Sequence, residues 1–186
     1  MGYVAKREII LNELGAALAG VREEDAKRLT AAIMESEQVF VVGVGRVLLM
    51  LQAFAKRLNH LGVRANFVGA IDEPAITGND LLVVGSGSGN SAVPVAIAKI
   101  ARKHGARIFH IGSNPKSTLT EIEDDFLKIP TATKLDLPEE IPSQQIMSSL
   151  FEQSLLLLLD AVAMMLAEQK GIEDLHGLWR FHANLE

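Results

Sequence analysis

The sequence predicts an α/β fold, in which a parallel sheet carries helices on both faces. Short apolar runs that end in glycine or in a polar turn recur along the chain, as in strands that are buried on both faces. Segments with helical spacing separate these runs at the distances of βαβ units. The length of 186 residues suits one domain.

Two helices are predicted at the start of the chain, within residues 1–36. Apolar residues between Ile9 and Leu18 recur at helical spacing, and Gly20 marks the end of the first helix. The second begins with the acids Glu23 to Asp25, whose charge suits the positive N-terminus of a helix.

Five strands are predicted after these helices, with helices between the earlier ones. The predicted strands span residues 39–42, 65–69, 80–85, 107–112 and 126–130. Residues 131–143 contain prolines and acids and are predicted to form a surface loop. A long helix that packs on the domain is predicted over residues 147–170. Because this helix is too apolar for a fully exposed face, we expect it to be buried between subunits.

Composition excludes several classes of protein. Lys and Arg number 18 against 23 Asp and Glu, and the net charge of −5 argues against nucleic acid as a partner. The chain has no cysteine, which excludes disulfides, thiolate metal sites and cysteine nucleophiles. No histidines and acids show the spacing of metal ligands. The first residues lack the apolar stretch of a signal peptide, and charges interrupt the longest apolar run, so a cytoplasmic protein without a membrane partner is expected.

A glycine- and serine-rich loop follows the third predicted strand. Ligands of doubly wound sheets bind outside the carboxyl ends of the strands, near the point where strand order reverses. Gly87 lets backbone amides approach an anion, and the hydroxyls of Ser86, Ser88 and Ser91 add donors. The next helix directs its positive end to the same place. The loop is therefore predicted to bind phosphate, although a plain turn is the alternative.

A second loop, with Gly45 and Arg46, follows the first predicted strand. Arg46 stands at a helix start, where a positive charge is unfavourable, and this favours a role in binding substrate oxygens over a plain surface position. The glycines here stop short of a dinucleotide-binding pattern, and the Gly-Lys-Ser/Thr of a Walker loop is absent. His110, within the fourth strand, is interpreted as a hydrogen-bonded core residue.

Four segments together resemble the 6-phospho-3-hexuloisomerase family, one of the sugar-isomerase (SIS) domain proteins. The resemblance covers nearly the whole chain. The Ser-Gly-Ser-Gly loop by itself is common to the wider group, whereas the Phe-Glu-Gln helix start and the C-terminal tail are specific to this family. The segments are Asp80 to Gly89, Arg57-Leu58-x-His60-Leu61-Gly62, Ser149-Leu150-Phe151-Glu152-Gln153 and His182-Ala183-Asn184-Leu185-Glu186.

The resemblance implies a single SIS domain over residues 1–186, with five parallel strands in flavodoxin-like order and a homotetrameric assembly. It implies interconversion of D-arabino-3-hexulose 6-phosphate and fructose 6-phosphate through an enediol, without a cofactor. Glu152 would be the base and His182 the proton shuttle. Gly45, Arg46, the loop Ser86 to Ser88, Asn90 and Ser91 would bind the sugar phosphate.

Several positions depart from the family's pattern. Val47 replaces a serine, Ala70 a glutamate, Glu73 a threonine and Asn90 a glutamate. Two alternatives therefore stay open beside the hexulose phosphate isomerase. One is a non-catalytic sensor that binds a phosphosugar and signals through its oligomer. The other is an isomerase of a different phosphosugar.

Overall fold

The computed structural model describes residues 2–135 and 137–182 and contains a five-stranded, entirely parallel sheet. The strand order is β2-β1-β3-β4-β5, which confirms the predicted fold class. The strands are β1 (Val39–Val42), β2 (Ala65–Phe67), β3 (Leu81–Gly85), β4 (Arg107–Gly112) and β5 (Asp125–Lys128). The α-helices are α1 (Tyr3–Ala19), α2 (Glu23–Glu35), α3 (Arg46–His60), α4 (Ala92–Lys103) and α5 (Ser149–Gln169).

Alternate residues of the central strands supply two apolar cores, one on each face of the sheet. Val41 and Val83 face a core that includes α2, α3 and α5. Phe40 and Val84 face the other core, beneath α4. Because both faces are covered, every residue of β1 and β3 is buried, which explains why these strands are continuous apolar runs in the sequence.

The order of the strands reverses between β1 and β3. The chain moves from β1 outward to β2, and the later strands add on the other side of β1. Val42 of β1 lies beside Val84 of β3, so the two strands end together at this reversal. The loops that follow these strands are Gly43–Gly45 and Ser86–Ser91. They are the two loops in which the sequence predicts ligand binding.

The last α-helix, α5, is long and apolar enough to cross a membrane by composition alone. Within the fold, 61% of its most apolar 18-residue stretch is buried, as is typical of a helix in a protein core. It begins at Ser149, slightly later than predicted, after Met147 with a φ of 55°. Leu157 and Met164 remain exposed on its outer face.

Two 3-10 turns complete the described residues. Leu119–Glu121 lies between β4 and β5, and His176–Phe181 follows α5. The predicted surface loop 131–143 is partly held to the body of the protein, because Thr131 is buried and forms a parallel bridge with Ile141.

Candidate functional site

In the loop after β3, Ser86–Ser91, the carbonyl oxygens are bound by the protein and some of the amides are not. The carbonyl oxygens of Ser86, Gly87, Ser88 and Gly89 all accept hydrogen bonds from the protein. The donors are His110 Nε2, the amides of Ser113 and Asn114, Asn114 Nδ2 and the amide of Leu119, at 2.9–3.2 Å. Within the described part of the chain, the amides of Gly87 and Ser88 have no protein acceptor. Bound carbonyl oxygens and amides without an acceptor are the features of a backbone nest, as expected for the predicted phosphate site.

Three serine hydroxyls surround this nest. Ser86 and Ser88 are 4% and 9% exposed, so their hydroxyls lie inside the loop rather than in bulk solvent. Ser86 Oγ accepts from the amide of Gly89 at 3.2 Å and lies 3.5 Å from Ser91 Oγ. Ser91 precedes α4 and makes no side-chain capping hydrogen bond to it. The hydroxyls and the N-terminus of α4 therefore converge on one point.

Asn90 anchors the loop to the neighbouring turn. Its Oδ1 accepts from the Thr118 amide at 2.9 Å and from Thr118 Oγ1 at 2.8 Å. The predicted ligand-binding residue thus already uses its carbonyl oxygen inside the protein, and its amide nitrogen is the group that remains for a ligand.

We expect Asn90→Ala and Asn90→Asp to separate these two roles. Alanine removes the acceptor for Thr118 and should lower the free energy of unfolding by about 1 kcal/mol. Aspartate keeps the acceptor, so stability should stay near that of the wild type, but its charge should weaken phosphate binding by roughly three- to tenfold. Chemical denaturation and phosphate titration check both values. Equal phosphate affinity of Asn90→Asp and the wild type would contradict the placement of residue 90 beside the anion.

The start of α5 lies beside this loop. A Cβ atom on Gly87 would lie 3.7 Å from the ring of Phe151, and one on Gly85 would lie 3.5 Å from Leu155. Glu152, between these two residues, is buried, with 8% of its side chain exposed. We call the loop Ser86–Ser91 the phosphate loop after its predicted ligand. The sequence separates Glu152 from it by more than sixty residues, and the fold brings them together.

Glu152 forms an ion pair with Arg46. Arg46 Nε donates to Glu152 Oε2, and Ser148 Oγ donates to the other carboxylate oxygen, Oε1, at 3.1 Å. Arg46 is itself 61% exposed, so its guanidinium faces the open side of the site. Gly45, with a φ of 58°, turns the chain into α3 and so places Arg46 at this edge. A carboxylate and a guanidinium together suit proton transfer next to an oxyanion.

The structure places His182 elsewhere. Its ring stacks on His60, at the end of α3, with centroids 5.9 Å apart, and it also lies against Trp179. Arg46 begins α3 and His60 ends it, so the helix rise separates the two by about 21 Å. Within one chain, His182 and Glu152 therefore lie at opposite ends of the helical layer. The residues after His182 lie outside the described part of the chain.

Burial lowers the pKa of His60 below its usual value of 6.5, and the positive charges of Arg57, Lys56 and His182 add to this effect. The unfolded chain therefore binds this proton at a higher pH than the folded chain does. It follows that the free energy of unfolding should fall as the pH drops from about 6.5 towards the lowered pKa.

We expect His60→Gln to reduce this acid-side loss of stability. The measurement is urea unfolding at a series of pH values between neutrality and pH 5. His104→Gln, at the exposed end of α4, is the matched control and should keep the wild-type slope. If His60→Gln and the wild type lose stability equally over this range, His60 does not carry the pH dependence.

Sequence reasoning missed the polar residues that follow β4. Ser113 and Asn114 are buried and tie down the carbonyls of the phosphate loop. Their position directly after a buried strand was the signal available, because β4 ends at the same edge as β3. Among the described residues, no group of three or more His, Asp or Glu could hold a metal ion.

Residues 32–164 match the family model described as the SIS domain, and this match, together with the fold, defines the class of the protein. A 3-hexulose-6-phosphate isomerase of Bacillus subtilis is 38% identical over 99% of this chain and 97% of its own length. One of Mycobacterium gastri is 39% identical over 96% of this chain and 88% of its own length. The chain therefore belongs to the SIS domain family, among the 3-hexulose-6-phosphate isomerases, and is an isomerase.

A crystal structure from Methanococcus jannaschii agrees with this assignment. It is that of a protein for which a function of 3-hexulose-6-phosphate isomerase was inferred. Its TM-score to this chain is 0.82 at 26% sequence identity, and the match covers 98% of this chain and 99% of the other. The likeness extends over nearly the whole of both chains.

Proposed function

We propose that the protein interconverts D-arabino-3-hexulose 6-phosphate and fructose 6-phosphate. The observation that carries this proposal is the buried Glu152 carboxylate, paired with Arg46, beside a loop in which the amides of Gly87 and Ser88 have no acceptor among the described residues. The relatives in Bacillus subtilis and Mycobacterium gastri are named for the same substrate. The loop Ser86–Ser91 would hold the phosphate on C6, which leaves the reacting carbons for the residues at the start of α3 and α5.

The reaction needs a base that removes a proton from carbon and a group that stabilises negative charge on oxygen. Glu152 takes the proton from C2, the electrons of that C–H bond form the C2–C3 double bond, and O3 gains a proton. The 2,3-enediol then loses the proton on O2, and a proton returns to C3, so that the carbonyl now lies at C2. Arg46 would stabilise the charge that develops on these oxygens.

We assign the proton transfer between O2 and O3 to His182 of a second copy of the chain. Within one chain, His182 stacks on His60 at the far end of α3, so it reaches a Glu152 only across a subunit boundary. Exposed Leu157 and Met164 on the outer face of α5 support such an assembly, because contact between copies would bury them. A homotetramer is the assembly that we propose.

Mixed oligomers test the shared site. Glu152→Gln and His182→Gln should each be inactive when they are prepared separately. When the two are expressed together, mixed pairs contain one site with both native residues, so activity should return to about a quarter of the wild-type value. A mixture as inactive as its parents would contradict a site shared between two copies, and an active His182→Gln variant would place His182 outside the reaction. The Glu152→Gln variant by itself tests the base.

The function itself is tested by supplying the sugar phosphate. Purified protein should convert 3-hexulose 6-phosphate to fructose 6-phosphate. A coupled dehydrogenase assay measures the product. Turnover of an aldose phosphate such as arabinose 5-phosphate in place of the hexulose would make the protein an isomerase of another phosphosugar. Stabilisation by sugar phosphates in a thermal shift, with no turnover of any of them, would identify a sensor and overturn the proposal.

A further inference from the structure

His110 is a buried titratable residue directly beneath the phosphate loop. It lies in β4 on the α4 side of the sheet and is fully buried, with Phe126 against its ring. Its Nε2 lies 2.9 Å from the carbonyl oxygen of Ser86, the first residue of the loop. Its Nδ1 lies 2.7 Å from Glu123 Oε2, on the side away from the loop.

These two contacts determine where protons must be. A carbonyl oxygen can only accept a hydrogen bond, so His110 Nε2 must carry a proton. The short contact between Nδ1 and the carboxylate of Glu123 requires a second proton, which the ring and the carboxylate share.

The backbone leaves room for this arrangement. A Cβ atom on Gly112 would lie 2.5 Å from both His110 Nε2 and the Ser86 carbonyl oxygen, so glycine is needed where the hydrogen bond forms. On Gly89, a Cβ would lie 3.1 Å from His110 Cε1. The ring is thus fitted against the phosphate loop on one side and against Glu123 on the other.

We propose that His110 is a positioning residue for phosphate binding. It holds the Ser86 carbonyl away from the anion, and the proton that it shares with Glu123 directs the positive end of the pair towards the loop. The positive end of this pair, which has no net charge, then lies beneath a loop that has no lysine of its own. The inference rests on the proposed function, because it assumes that this loop binds the phosphate of the substrate.

Three variants test the inference, which predicts that KM changes while kcat does not. His110→Phe removes the donor to Ser86, so KM and the inhibition constant of inorganic phosphate should rise about tenfold while kcat stays within about threefold. His110→Gln offers an amide N–H to the same carbonyl and should return KM to within about threefold of the wild type. His104→Gln, at the exposed end of α4, should change none of these values.

Glu123→Gln keeps the bond from His110 to Ser86 and removes the shared proton. We expect KM to rise about threefold, and ¹⁵N NMR of the ring should show two protonated nitrogens in the wild type and one in this variant. If His110→Phe does not fold, Glu123→Gln still gives both readouts, the change in KM and the protonation of the ring.

The outcomes separate the inference from the function. Unchanged KM in His110→Phe, a fall in kcat alone, or a single ring proton in the wild type would overturn the inference by itself. A wild-type protein that neither turns over sugar phosphates nor binds inorganic phosphate would overturn the proposed function, and the inference with it.

Discussion

Replacing Glu152 with glutamine is expected to lower kcat by roughly 10²–10⁴-fold, the usual contribution of a general base. Glutamine has nearly the same shape as glutamate, and its amide oxygen can still accept a hydrogen bond from Ser148 or from Arg46. It cannot take the proton from C2. The loss should therefore appear in the chemical step, and KM should stay within about threefold of the wild type.

Two measurements make this result specific. Thermal stabilisation by inorganic phosphate should be the same in Glu152→Gln and in the wild type, because the phosphate loop is intact. Glu168→Gln, an exposed substitution near the other end of α5, is the matched control and should leave kcat unchanged. A Glu152→Gln variant that keeps more than a tenth of the wild-type kcat would show that another residue is the base.

The strands and both loops could be predicted because parallel sheets leave a plain pattern in sequence. Val39–Val42 and Leu81–Gly85 are buried on both faces, so each is a continuous apolar run. Each run ends in a glycine-bearing turn, and the carboxyl ends of neighbouring parallel strands share one edge. The sequence predicts the start of the edge strand β5 one residue late, because Asp125 is polar and pairs with Arg107, and predicts its end two residues late.

The contacts that shape the site depend on register, which the sequence does not display. Gly85 lies opposite Ile111, and this pairing is what brings Asn114 and His110 under the phosphate loop. Their spacing from Ser88 along the chain says nothing about that register. The position of His182 depends on how the last turn packs against His60, and a short 3-10 segment has no long-range periodicity from which to predict it.

Replacing Gly89 with alanine is expected to remove phosphate binding and to destabilise the protein by about 2 kcal/mol. Gly89 has a φ of 66°, a conformation that favours glycine, and a Cβ there would overlap the Ser117 hydroxyl and lie 2.5 Å from Ser117 Cβ. The residue cannot easily move, because its amide donates to the Ser86 carbonyl and its own carbonyl accepts from Leu119. The strain should therefore displace the whole loop.

Gly87→Ala is the matched control, since the two glycines lie two residues apart in the same loop. A Cβ on Gly87 would lie no closer than 3.6 Å to its neighbours, and its φ is ordinary, so the free energy of unfolding should change little. Urea unfolding with and without inorganic phosphate measures both variants. Gly89→Ala should lose the phosphate-dependent gain in stability that the wild type shows. If Gly89→Ala keeps that gain, the anion is bound without the geometry of this loop.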